Sequence, residues 1–165
     1  MIKDFPGGYK ISQIALVVKD LDKSIKNFHE MLGWGPWNIY DHKPPRLHDT
    51  HLHGQKANYT MRSAETSVHG LGFELVQPLE GPSIYHDILN QKGEGFHHLA
   101  CMMHTQEESD QLKKRFATLG ARVLMGGRIG ETIEFLYFDT EPMLKIIIES
   151  GSGHAIDLKP DRIYP

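Results

Sequence analysis

Four side chains that could bind a metal ion occur at matching places in two similar halves of the sequence. Gln13 opens the apolar run QIALVV, and His98 opens the similar run HLACMM. A later apolar segment of each half carries a carboxylate, Glu74 in FELV and Glu149 in IIIE. Because a repeated pattern indicates a repeated structural unit, we interpret the four residues as one divalent-metal site shared by two modules.

The alternation of side chains along a strand predicts which of these groups can converge. Adjacent residues point to opposite faces, so His97 and His98 are predicted to face different sides of the sheet. Glu74 and Glu149 lie in apolar runs, where an unpaired buried carboxylate is strongly unfavourable and a bound cation would compensate for it. The alternative is that either carboxylate faces solvent on an open sheet surface.

The apolar periodicity around these residues predicts two tandem βαβββ modules in an α+β fold. Each module begins with a strand and a helix: Asp20 caps the first helix and Gly33 ends it, while Thr105 and Glu108 form a capping box for the second. The further predicted strands are 37–40, 57–63, 71–77, 122–125, 132–138 and 144–149. We expect one domain over residues 1–165, with module one at about 9–80, a linking helix at about 82–92, module two at about 95–150 and a surface tail at 151–165.

Composition limits the class of partner. The chain has 165 residues and a net charge of -3, which gives no general electrostatic reason to bind nucleic acid or an anionic membrane. No apolar run approaches the roughly 20 residues that span a bilayer. The single cysteine, Cys101, excludes an intramolecular disulfide, and the first residues show no apolar signal core. We therefore expect a cytoplasmic protein whose partner is a small-molecule substrate.

The 11 histidines are interpreted mostly as solvated loop residues, including His42, His48 and His69. His51 and His53 alternate, so they would share a face if their segment is extended, and they are candidate substrate contacts. Trp37 and Tyr40, in a segment dense in aromatic residues, are further candidates for the mouth of a cavity. Core packing is the alternative for at least one tryptophan.

The chain resembles the vicinal oxygen chelate superfamily, which includes glyoxalase I, methylmalonyl-CoA epimerase, extradiol dioxygenases and bleomycin-resistance proteins. It is most similar to the methylmalonyl-CoA epimerase-like branch, through ALVVKDL at 15–21, ELVQPL at 74–79, GEGFHHLA at 93–100 and DTEP at 139–142. The resemblance implies a curved, partly closed mixed sheet around a cavity with helices outside, and a homodimer. It also implies four metal ligands: Gln13, Glu74, His98 and Glu149.

The resemblance further implies a metal-dependent epimerase, isomerase or lyase that acts on a small oxygenated substrate through a metal-stabilised enolate. The expected cation is Mn²⁺, Co²⁺, Zn²⁺, Mg²⁺ or Fe²⁺. Glu149 is the favoured catalytic base, and Glu134 or a tyrosine is the alternative.

Two departures from the branch leave alternatives open. Gln13 stands where the branch has histidine, and an amide oxygen is a weaker ligand for Zn²⁺ or Co²⁺ than imidazole. This favours a metal-free small-molecule binding or sequestering protein of the bleomycin-resistance type as the second hypothesis. Lys145 stands where glycine is common, and an ungapped comparison would place Ile147 rather than Glu149 at the last ligand position. An extradiol dioxygenase would need two histidines, and only His98 matches one.

Overall fold

The computed structural model describes residues 8–153 and 158–165. Within them the chain forms an eleven-stranded mixed sheet that curls into a half-barrel, with four helices, which confirms the predicted α+β class. The strands are β1 Gln13–Val17, β2 Trp37–His42, β3 Leu47–Leu52, β4 Gln55–Lys56, β5 Met61–Val68, β6 Leu71–Pro78, β7 Gly95–Ala100, β8 Val123–Ile129, β9 Ile133–Phe138, β10 Ile147–Ser152 and β11 Arg162–Tyr164. The helices are α1 Leu21–Leu32, α2 Ile84–Lys92, α3 Gln106–Thr118 and α4 Glu141–Leu144.

The strand order places the first and last strands of both modules in the middle of the sheet. The order is β11-β2-β5-β6-β1-β7-β10-β9-β8-β3-β4. β1 runs parallel to β6 and antiparallel to β7, and β7 runs parallel to β10. The four strands that carry the predicted metal ligands are therefore adjacent.

Helices α1 and α3 cover one face of the sheet, and their predicted caps are confirmed. The Asp20 carboxylate accepts the Lys23 amide N–H, and Gly33 ends α1 at a φ of 68°. Thr105 and Glu108 form the capping box of α3. The apolar side of α1 packs with Leu75 of β6, and that of α3 packs with Phe138 of β9. Both helices thus anchor the strands that frame the centre of the sheet.

Helix α2, which links the modules, lies on the opposite, concave face. Its Ile84, Tyr85 and Ile88 pack in one buried cluster with Val76 and Tyr137. Val76 follows Glu74 by two residues on β6, so the two side chains share a face. The linking helix therefore packs on the side of the sheet that carries the candidate ligands, whereas α1 and α3 lie outside.

Two polar segments form strands that the sequence did not predict. The polar stretch 41–56 contains β3 and β4, and β3 pairs with β8 of the second module. The tail, predicted as a surface extension, returns to pair β11 with β2, and its Leu158 lines the central cavity. These strands extend the sheet at its two edges. None of the described helices combines the length and apolar character needed to cross a membrane.

Candidate metal centre and cavity

Residues that lie opposite one another on adjacent strands form two rows across the middle of the sheet, and the first row carries two of the candidate ligands. Ala15 on β1 lies opposite Glu74 on β6 and opposite His98 on β7. Alanine at the centre of this row leaves room for the larger side chains on both sides. The imidazole and the carboxylate can therefore reach towards each other over β1.

The second row lies two residues further along the strands. Gln13 on β1 lies opposite Ala100 on β7, and Ala100 lies opposite Glu149 on β10. Residues two apart on a strand point to the same face, so both rows present their polar side chains on the concave side. The pairing brings Gln13, Glu74, His98 and Glu149 to that face on four adjacent strands.

The ligand atoms of three of these residues form a compact cluster. His98 Nε2 lies 2.9 Å from Glu149 Oε2 and 3.5 Å from Glu74 Oε2. Candidate ligand atoms of the three residues all lie within 4.8 Å of one another. His98 is fully buried, and its Nε2 makes no hydrogen bond within the described part of the chain. A buried nitrogen with two carboxylates in reach but no hydrogen bond suits a metal ion.

The electrostatic surroundings of Glu74 also suit a cation. Burial raises the pKa of Glu74 well above its usual value, and the charges of Glu149 and Glu65 raise the pKa further. The cluster thus concentrates acidic groups in a buried place, where a divalent ion would stabilise their ionised forms. Ile147 is the residue directly opposite His98 on β10, but the side chain of β10 that reaches His98 Nε2 is that of Glu149.

His97 contacts the His98 ring, which corrects the prediction that the two residues face different sides. Pairing shifts from Ala15 opposite His98 to Leu16 opposite Phe96, so His97 is the extra residue of a β-bulge and strict alternation is lost there. The two Nδ1 atoms lie 2.8 Å apart, and one donates to the other. Burial, with the nearby His98, lowers the pKa of His97 well below its usual value. When His98 Nδ1 carries the proton, His98 Nε2 is free to bind a metal.

A cavity of about 200 Å³ opens over this cluster. Strands of both modules, helix α2 and the tail all contribute to its wall. Its lining combines apolar side chains with a few convergent polar groups, which is typical of a small-molecule site. The lining residues are Ser12, Gln13, His42, Met61, Glu65, Glu74, Val76, Tyr85, Met102, Ile129, Ile133, Phe135, Tyr137, Glu149, Gly153 and Leu158.

Glu65 is a third carboxylate of the cavity that the sequence interpretation missed. It lies on β5 directly opposite Glu74, and burial followed by the charge of Glu149 raises its pKa to about 7. The predicted strand 57–63 ended before this residue. The dipeptide His69–Gly70 was the available signal, because a two-residue hairpin turn there places Glu65 opposite Glu74. Glu134, the alternative base, instead accepts hydrogen bonds from Ser109 and Lys113 of α3.

His42 is also a cavity residue, contrary to its interpretation as a solvated loop histidine. It ends β2, is buried, and its Nε2 lies 2.9 Å from Ser63 Oγ. Its Nδ1 has no hydrogen-bond partner among the described residues. Tyr40 is buried on the same face and stacks on the His42 ring with 5.8 Å between centroids. Tyr40 therefore lies behind His42 and is absent from the cavity lining itself.

His42 is expected to make the protein less stable in acid. Burial, with the charge of Arg46, lowers the pKa of His42 from 6.5 to about 4. The unfolded chain binds this proton below pH 6.5 and the folded chain does not, so the free energy of unfolding falls as the pH decreases from 6.5 towards 4. With a chelator present, urea unfolding at pH 7.5 and 5.0 should show that His42→Gln loses about 2 kcal/mol less than wild type. Equal losses would contradict this prediction.

The remaining substrate-contact candidates do not lie at the cavity. Trp37 is fully buried against the α1 side of the sheet, where its Nε1 donates to the Trp34 carbonyl oxygen. His51 is on β3 at the far edge of the sheet, and His53 is exposed in the following turn with a φ of 50°. That turn ends the extended conformation on which their shared face depended.

A profile of the Glyoxalase/Bleomycin resistance protein/Dioxygenase superfamily matches residues 12–138. The match covers most of the chain, and the protein belongs to this superfamily. A comparison with curated proteins found no match.

Several solved structures share the fold. Methylmalonyl-CoA epimerase from Mycobacterium tuberculosis is 20% identical with a TM-score of 0.60, over 87% of each chain. A hypothetical protein from Bacillus halodurans C-125 is 16% identical with a TM-score of 0.63, over 89% of this chain and 96% of its own. A methylmalonyl-CoA epimerase in complex with methylmalonyl-CoA and NH4+ is 19% identical with a TM-score of 0.57, over 92% of this chain and 99% of its own. These similarities establish the fold.

Proposed function

We propose that this protein is a metal-dependent epimerase or isomerase that moves a proton on the carbon beside a carbonyl group of a small oxygenated substrate. The observation that carries this proposal is the buried His98 Nε2, which has two carboxylates in reach and no hydrogen bond to any residue that the structure describes. Glu74, His98 and Glu149 would hold a divalent cation, with the Gln13 amide oxygen as a fourth ligand. Such a cation, when bound, polarises the carbonyl and acidifies the neighbouring carbon.

The chain's own residues supply the groups that hold and move the proton. Glu65 and Glu149 both line the cavity, and they interact electrostatically. Glu149, on β10, removes or returns the substrate proton from one side of the cavity. Glu65, on β5, removes or returns it from the other side. Glu65 lies on β5 opposite Glu74 and is not one of the proposed ligands, so its carboxylate is available to accept and return a proton.

The superfamily and its relatives support this proposal. Structures similar to this chain include methylmalonyl-CoA epimerases, one of them in complex with methylmalonyl-CoA and one with 2-nitronate-propionyl-CoA. Their identities of 19% and 18% make the substrate of this protein a separate question. We therefore propose a class, either 2-oxo acids or acyl thioesters, each of which has an acidic carbon beside a carbonyl group.

Proton exchange in deuterated water tests the function. Protein loaded with Mn²⁺, Co²⁺, Zn²⁺ or Mg²⁺ is incubated with a panel of 2-oxo acids and acyl-CoA thioesters, and deuterium uptake is followed by mass spectrometry. We expect incorporation at the carbon beside the carbonyl with at least one compound, and background incorporation with His98→Ala. Background incorporation by wild type across the panel would contradict the proposal.

Gln13 favours the second candidate, a metal-free binding or sequestering protein, because its amide is a weak metal ligand. The substitution Gln13→His is expected to tighten Zn²⁺ and Co²⁺ binding by about tenfold or more, since imidazole is the better ligand for both ions. Calorimetric titration of wild type and variant measures this change. A sequestering protein without a metal centre would show negligible uptake of Zn²⁺ and Co²⁺ by wild type and by Gln13→His. Gln13→Ala is the control for loss of the amide without gain of an imidazole.

A further inference from the structure

We propose that the paired phenols of Tyr85 and Tyr137 donate a hydrogen bond to an oxygen of the bound substrate, and so select substrates that present an acceptor oxygen beside the metal cluster. The proposal rests on the function given above and assigns a substrate-recognition role to two residues outside the metal cluster. It also gives helix α2, which links the modules, a direct part in the site.

The two phenols meet inside the cavity wall. Tyr85 on α2 and Tyr137 on β9 are 1% and 2% exposed, and both line the cavity. Their hydroxyl oxygens lie 2.7 Å apart, so one hydroxyl donates to the other. A pair of phenols has two O–H protons, and this bond uses one of them. The structure records no other hydrogen bond for the pair within the described residues, so one buried O–H remains available as a donor.

The pair lies beside the proposed metal ligands. Tyr137 is directly opposite Glu149 on the neighbouring strand, and its ring centroid lies 5.0 Å from that of His98. Tyr85 contacts the His97 ring at 4.9 Å. A substrate held at the cluster would therefore have the phenols within reach of its adjacent atoms.

Burial in the cavity wall is the main reason that both phenols stay protonated. Burial, followed by the charges of nearby carboxylates, raises the pKa of Tyr85 and of Tyr137 well above the usual value. The carboxylates of Glu65, Glu74 and Glu149 are hydrogen-bond acceptors when ionised, so the cavity has few donors to offer a substrate oxygen. A carbonyl or carboxylate oxygen is the chemical group that pairs with the free O–H, and a hydrocarbon group there would leave it unsatisfied.

The chain offers a matched control for this role. Tyr59 is also buried, and its hydroxyl donates to the Gly126 carbonyl oxygen at 2.7 Å, but it does not line the cavity. Tyr59→Phe thus removes a buried phenol hydroxyl whose hydrogen bond is already made. Any general effect of losing such a group appears in this variant as well.

Two small molecules that bind a cation through different atoms distinguish hydrogen bonding by the phenols from binding of the metal. Acetohydroxamate carries adjacent oxygens, whereas imidazole binds a cation through nitrogen and offers no oxygen acceptor. Calorimetry on Zn²⁺-loaded protein should show that Tyr85→Phe/Tyr137→Phe binds acetohydroxamate about tenfold more weakly, with smaller losses in each single variant. Affinities for imidazole and for Zn²⁺ should stay within about twofold, as should all affinities of Tyr59→Phe. Equal loss for both ligands, or no loss for acetohydroxamate, would overturn the proposal.

A direct measurement on wild type does not depend on how the variants fold. In protein labelled at the tyrosine Cζ carbon, saturation with acetohydroxamate should shift the NMR signals of Tyr85 and Tyr137 and leave that of Tyr59 in place. Unmoved Tyr85 and Tyr137 signals would overturn the proposal. If the protein takes up no Zn²⁺, the proposed function fails. The same NMR titration of the metal-free protein then tests the phenols separately: shifted Tyr85 and Tyr137 signals support the proposed hydrogen bond, and unmoved signals overturn it.

Discussion

His98→Ala is expected to weaken divalent-cation binding by about 100-fold or more, since loss of a residue that only supports a ligand already costs about 10- to 100-fold. His98 is the fully buried member of the cluster, and its Nε2 is the atom that lies close to both Glu74 and Glu149. Its removal leaves an acidic pair without the imidazole that directs a cation between them. Mn²⁺ titration followed by electron paramagnetic resonance at pH 7.5 measures the change.

The controls separate a specific ligand from nonspecific binding by histidines and acids. His53→Ala removes an exposed imidazole at the edge of the sheet and should leave Mn²⁺ affinity unchanged. Thermal unfolding gives an independent reading, because a ligand that binds the folded state raises the melting temperature. Mn²⁺ should stabilise wild type and His53→Ala alike and fail to stabilise His98→Ala. Equal stabilisation of all three would show that the ion binds elsewhere.

The repeated half-sequence predicted the centre of the fold because local patterns determine it. Caps at Asp20 and Thr105 act within one helical turn. The apolar runs of β1 and β7 can be recognised as strands without reference to any other segment. The convergence of the four candidate ligands on one face followed from alternation combined with the repeat. These features need no knowledge of distant contacts.

The remaining cavity wall depends on tertiary contacts that local patterns do not record. β3 is a polar strand next to the edge of the sheet, so its pairing with β8 in the other module left no apolar signal. Tyr85 and Tyr137 resemble ordinary core residues in the sequence, and only the packing of α2 against the concave face brings their hydroxyls together. The bulge at His97 likewise arises where β7 pairs with β1, and it changes the direction of one side chain.

The sequence interpretation missed Glu65 because its strand was predicted to end two residues early. The proposed role of Glu65 as an acid or base predicts a large effect of its substitution on the exchange rate. Glu65→Gln is expected to slow deuterium exchange by about 10²- to 10⁴-fold, the usual contribution of a positioned acid or base. Its cation affinity should stay close to that of wild type, because the proposed ligands are Gln13, Glu74, His98 and Glu149. Exchange rate and Mn²⁺ affinity are measured on the same preparation.

Glu134→Gln is the matched control, because Glu134 is a strand carboxylate on the opposite side of the sheet, held by Ser109 and Lys113 of α3. Its substitution should leave exchange intact. The comparison with Glu149→Gln then separates the two carboxylates of the cavity. Glu149→Gln should lose both cation affinity and exchange, since Glu149 serves as ligand and base, whereas Glu65→Gln should lose exchange alone. Full exchange by Glu65→Gln would mean that a single carboxylate both removes and returns the proton, and would restrict this site to chemistry on one face of its substrate.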